Sequence, residues 1–111
     1  MYLSYFIFIS TLESAWVEDG CPRGGEQPLG MYRLKTDKAC VRCCSSDGFP
    51  CSTPFNCGPK NQWITYNEAV SKCNEDGKRL CTKAELLNNV CCSSGGGGDS
   101  YLVWAVIGNM S

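Results

Sequence analysis

The sequence predicts a small disulfide-rich α+β domain in which two short helices flank a small, mostly antiparallel sheet. Three observations carry that prediction. Ten of the 111 residues are cysteine, the density of a disulfide scaffold. Two Thr-x-x-Glu boxes, Thr65 to Glu68 and Thr82 to Glu85, mark two helix starts, each with a threonine hydroxyl and a returning glutamate to satisfy amides of the first turn. Apolar runs of strand-forming types stand near both ends, over residues 1–10 and 101–107.

The helices are the most legible part. Tyr66, Ala69, Val70 and Cys73 follow the first cap at helical spacing and form one buried stripe. Gly77, after Asn74-Glu75-Asp76, supplies the left-handed stop. Arg79-Leu80-Cys81 reads as a short extended piece. Beyond the second cap, Leu86, Leu87, Val90 and Cys91 make the apolar face.

Residues 1–17 carry two readings: a retained apolar strand, or a segment that looks like a secretory signal. Against the second, no Lys or Arg lies near the start, and Glu13 stands where a small residue is wanted before Ala15. Residues 18–111 read as one cysteine-rich domain. Residues 11–30 are dense in breakers and read as a loop held by Cys21. Residues 31–35 alternate as a short strand. Residues 39–44 form another, with Val41 and Cys43 on one face and Cys40, Arg42 and Cys44 on the other. Adjacent Cys43 and Cys44 therefore need partners in different layers. Residues 45–61 read as loop, rich in Pro, Gly, Ser and Cys. After a four-glycine run, residues 101–107 are apolar on both parities and require cover on both faces. Asn109-Met110-Ser111 is an N-glycosylation sequon, which makes Asn109 a candidate glycan carrier.

Cysteine at this density points to an oxidising compartment, outside the cell or at its surface. Cys40-x-x-Cys43 has the spacing of a zinc-ligand pair, but the chain has no His and no second pair at zinc-ribbon spacing. The expected set is instead disulfides among Cys21, Cys40, Cys43, Cys44, Cys51, Cys57, Cys73, Cys81, Cys91 and Cys92. Two local bonds are suggested by spacing, Cys51 to Cys57, and Cys81 to Cys91 or Cys92. Without His there is no Ser-His-Asp triad and no Cys-His pair. Cys40-x-x-Cys43 lacks the βαβ context of a thiol oxidoreductase. No enzymatic activity and no cofactor are expected. The formal net charge of -1, with scattered basic residues, points away from nucleic acid, and no run is long enough for a transmembrane helix.

The run Glu68-Ala69-x-x-x-Cys73 through Gly77-x-Arg79-Leu80-Cys81-Thr82-x-x-Glu85-Leu86, closing on Val103-Trp104, resembles the helix–strand–helix core of the C-type-lectin-like superfamily, link modules included. Val41-Arg42-Cys43-Cys44-Ser45 and the Cys/Ser loop after it are similar to cysteine-rich modules of large extracellular proteins of algae and other protists. The resemblance covers roughly residues 39–106. It implies pairing of an N-terminal strand, residues 1–10 or 31–35, with residues 101–107. The calcium triplets of sugar-binding members are missing. Glu26-Gln27-Pro28-Leu29 lacks the Asp and lies upstream of the helices, and Val103-Trp104-Ala105 stands where the Trp-Asn-Asp triplet belongs.

Two functions follow as expectations. The first is an extracellular structural subunit of a fibril or coat, built on a lectin-like module, which self-associates through terminal strands carrying Leu3, Phe6, Phe8, Tyr101, Val103 and Trp104. The second is a calcium-independent adhesion module that binds glycans or extracellular proteins, with Trp63, Phe49 and Phe55 as candidate contacts.

Overall fold

The computed structural model describes residues 13–22, 30–93 and 95–107. The apolar run with Leu3, Phe6 and Phe8, and the sequon at Asn109, lie outside the described residues. Among the described residues, six strands and two α-helices follow one another: β1 (Ser14–Asp19), β2 (Met31–Leu34), β3 (Cys43–Cys44), β4 (Cys51–Ser52), α1 (Tyr66–Glu75), β5 (Arg79–Leu80), α2 (Lys83–Leu87) and β6 (Leu102–Ala105). The strands form two antiparallel three-stranded sheets, ordered β2-β1-β6 and β4-β3-β5. The fold is thus a small disulfide-rich α+β domain, with two sheets where the sequence suggested one.

Strand alternation divides the core into two layers. Ala39, Val41 and Cys43 point into a layer with Ala15, Val17, Trp104 and, from α1, Ala69 and Cys73. Cys40 and Cys44 point into another with Val103, Ala105, Cys81, Cys91 and, from α2, Leu86. β6 thereby feeds both layers, Trp104 into one and Val103 and Ala105 into the other, as its double-sided apolarity requires. Burial of Trp104 leaves no donor stranded, because its indole N–H donates to Ile64 O at 2.9 Å.

Three parts of the sequence reading are corrected. Residues 14–19 are not loop: β1 is the central strand of the first sheet. Residues 101–107 pair not with residues 31–35 but with β1, in the register Val17↔Trp104, and β2 takes the other edge of β1. Residues 45–61 are not all loop, since β4 returns alongside β3 with Cys51 opposite Cys44. β1 was hard to see because it ends in two acids. Both are nonetheless buried. Glu18 accepts from the Trp16 indole at 2.9 Å and from the Asp19 amide at 3.2 Å, while Asp19 accepts from the Cys21 amide at 2.9 Å.

Candidate functional site

Both capping boxes form. The Thr65 amide donates to Glu68 Oε1 at 2.9 Å and the Thr82 amide to Glu85 Oε1 at 2.8 Å. Each glutamate amide returns a bond to its threonine hydroxyl. Gly77 ends the first helix at a φ of 72°. Leu87, assigned to the buried stripe of α2 by its spacing, is 44% exposed, because α2 ends there and cannot turn it inward.

Glu85 does more than cap. Its carboxylate forks onto the Arg79 guanidinium at 2.9 and 2.8 Å. That bond first, and the Thr82 amide with it, holds the Glu85 carboxyl below its ordinary range. The sign follows from linkage. The unfolded chain binds the proton more tightly, so the stabilisation is present above the unfolded pKa of about 4.3 and is lost as pH falls through the lower folded value. Glu85→Gln is expected to cost about 1–2 kcal/mol at neutral pH. Its deficit against the native chain should shrink below about pH 4 in urea unfolding series. A deficit that stays constant down to pH 3 would mean that charge plays no part.

All ten cysteines are paired, as Cys21–Cys92, Cys40–Cys57, Cys43–Cys73, Cys44–Cys81 and Cys51–Cys91. Adjacent Cys43 and Cys44 do serve different layers, one bonded to α1 and the other to the segment after β5. The two suggested local bonds are corrected. β4 places Cys51 in the sheet beside Cys44, which carries it to Cys91 and away from Cys57. Cys57 turns to Cys40 instead. Cys81 lies 3.4 Å from Cys91, sulfur to sulfur, yet bonds Cys44. The sulfurs of Cys44, Cys51, Cys81 and Cys91 gather within 4.8 Å of one another as two stacked disulfides. Cys40 and Cys43, the pair with zinc-like spacing, belong to different disulfides.

Arg42 is fully buried and knits the glycine-rich segment to the sheets. Its Nη1 donates to the carbonyls of Gly20, at 3.2 Å, and Cys91. Its Nη2 donates to Gly95 O at 3.3 Å and to Asp99 Oδ1 at 2.7 Å. Gly98 lies flat on the guanidinium, where a Cβ would come within 2.2 Å of Arg42 Nε. The four-glycine run is therefore a fitted cover over a buried cation.

Two of the surfaces among the described residues bear on the expected partners. The first is β2, at the edge of its sheet, with Met31 45%, Tyr32 63% and Leu34 51% exposed. Tyr32 packs edge-on against Trp16, its register partner, at 5.0 Å. The opposite edge strand is not comparable. Beyond its pairing with β1, β6 is bridged by Cys40 at Val103, and the Trp104 amide donates to Cys40 O at 3.1 Å. Val103 and Trp104 are fully buried, so these two expected assembly residues are engaged inside the domain, whereas Tyr101 is half-buried.

The second is a cleft of 260 Å³ lined by Asp19, Arg33, Lys60, Trp63, Ser100, Tyr101 and Leu102. β1–β6 pairing brings Asp19 beside Leu102. Trp63 is fixed by its indole N–H, which donates to Cys57 O at 2.8 Å, and Cys57 is fixed in turn by Cys40. Tyr101 meets Trp63 edge-on at 5.8 Å, and the Lys60 ammonium sits 5.5 Å from the Trp63 ring centre. Burial, more than any other influence, pushes the Asp19 carboxyl upward. Of the aromatics singled out from sequence, Trp63 reaches this cleft and Phe49 is 68% exposed elsewhere, while Phe55 packs against both core layers. Asp19, Arg33, Lys60 and Ser100 come from four separate segments, and no local pattern announces them.

Among the described residues, no helix is long and apolar enough to cross a membrane. No protein-family model, no curated protein and no solved structure matches the chain.

Proposed function

We propose that this chain is an extracellular structural subunit, a lectin-like module that builds a fibril or coat by association between copies. The observation that carries the reading is β2, an edge strand of its sheet among the described residues, with three exposed apolar side chains. An uncovered apolar edge is a template for another strand, and soluble domains ordinarily blunt such edges. The occupant that fits is β2 of a second copy. Antiparallel pairing about a two-fold axis sets Tyr32 against the partner's Tyr32, a favourable cross-strand aromatic pair. Five disulfides support an oxidising location.

Sedimentation velocity over a graded concentration series tests this. Reversible association is expected, and Tyr32→Lys with Leu34→Lys should weaken it at least tenfold while the circular dichroism spectrum stays native. A monomer at the highest soluble concentration ends the assembly reading.

One observation favours a second reading, a calcium-independent module that binds glycans or extracellular proteins. It is the cleft around Trp63 and Tyr101, where a fixed aromatic surface stands among polar groups, the ordinary composition of a small-ligand site.

A further inference from the structure

We infer that the Trp63–Tyr101 cleft takes a sugar ring that carries an anionic group, a carboxylate or a sulfate ester. This rests on the binding-module reading and names the ligand class for that site.

Charge is the first argument. The chain is slightly acidic overall, with a formal net charge of -1. The cleft nevertheless gathers two cations, Arg33 from β2 and Lys60 from the turn before Trp63, against a single acid. That acid, Asp19, is 2% exposed, and its burial opposes ionisation. The local balance therefore favours an anion. Arg33 Nη1 is anchored on Lys38 O at 3.0 Å, which sets the guanidinium in place. A guanidinium has five donors, so one anchored N–H leaves a fork that matches a carboxylate or sulfate edge.

The aromatic surface is the second argument. Trp63 is held by the Cys57 carbonyl and edge-on by Tyr101, so a ligand does not have to order it. Preordered aromatic area lowers the entropic cost of binding. The Lys60 ammonium rests over the Trp63 ring and is a mobile cation on a flexible stem. A ligand with an apolar ring face and an anionic substituent answers both groups at once: the face replaces the ammonium on the indole, and the ammonium meets the anion. The Ser100 hydroxyl supplies a partner for a ring hydroxyl.

Size is the third. A cavity of 260 Å³ falls below the range of roughly 300–1,000 Å³ for drug-sized ligands. One ring of a longer chain, with its neighbours projecting into solvent, suits it.

The test is amide chemical-shift perturbation together with calorimetry, using oligogalacturonate, a sulfated galactan oligosaccharide and a neutral galactan oligosaccharide of matched length. Shifts are expected around Trp63, Tyr101 and Leu102 with at least one anionic oligosaccharide, and affinity should fall at least tenfold between low and high salt. The carboxylated and sulfated arms decide which anion is recognised. Arg33→Gln with Lys60→Gln should remove at least tenfold of the affinity with the unfolding midpoint unchanged. If the neutral oligosaccharide binds as well as the anionic ones, the anion inference fails and the binding-module reading survives. If none shifts these residues, the anion inference and the glycan-binding reading both fail.

Discussion

Replacing Arg42 with methionine is expected to cost about 3–5 kcal/mol, the cost of removing one side of a buried ionic network. Methionine fills much of the volume, so the loss comes from polar groups. Two buried carbonyls, those of Gly20 and Cys91, lose this donor, while Gly95 is exposed and keeps the Gly98 amide at 3.5 Å. Each buried acceptor left unmet costs roughly 1–3 kcal/mol. Asp99 loses less. It is 37% exposed and keeps the Ser93 amide at 3.0 Å. Asp99→Asn should therefore cost only about 1 kcal/mol, near the range of solvent-screened pairs. The contrast is the test. Urea unfolding should separate the two variants clearly, and hydrogen exchange should accelerate over residues 91–99 in Arg42→Met. A loss below about 1 kcal/mol would mean that the guanidinium merely fills space.

The same residue marks how far the sequence can be read. Alternation over residues 39–44 places Arg42 on the face shared by Cys40 and Cys44. It does not say that a cation is buried there, because the partners lie between 22 residues before it and 57 after it. The helices were legible because their signals are local: a cap, its glutamate and the stripe all lie within one or two turns. The layer assignment of Cys43 and Cys44 was legible for the same reason, since parity is local. Pairing was not, because a disulfide partner depends on which strands align, and that alignment depends on β1. The identity of β1 was hidden by Glu18 and Asp19, acids that read as solvent-facing and are held inside by the Trp16 indole and the Cys21 amide. The cleft inherits this opacity. It assembles only once β1 lies against β6 and Cys57 is tied to Cys40.

Loss of the Cys43–Cys73 disulfide should cost the fold more than loss of Cys21–Cys92, even though loop entropy ranks Cys21–Cys92 above it. The sequence separation is 30 residues for this bond and 71 for Cys21–Cys92. In the chain-entropy account the longer loop gains less than about 1 kcal/mol over the shorter, because the dependence is logarithmic. Burial reverses the order. Cys43 and Cys73 are fully buried in the layer with Val17, Leu80 and Trp104, and they join β3 directly to α1. Cys21–Cys92 lies at the margin of the fold, with Cys92 half-buried. Removing both sulfurs from the core leaves space that close-packed neighbours fill only in part, so a cavity cost adds to the lost crosslink. Cys43→Ala with Cys73→Ala is expected to lose about 3–5 kcal/mol, against a total of roughly 5–15 kcal/mol for a domain of ordinary stability. Cys21→Ala with Cys92→Ala should lose less, about 2–3 kcal/mol. Urea unfolding of both pairs under non-reducing conditions, with the other four bonds verified by mass spectrometry, gives the comparison. Equal losses, or the larger loss at Cys21–Cys92, would show that crosslink entropy outweighs packing in this domain.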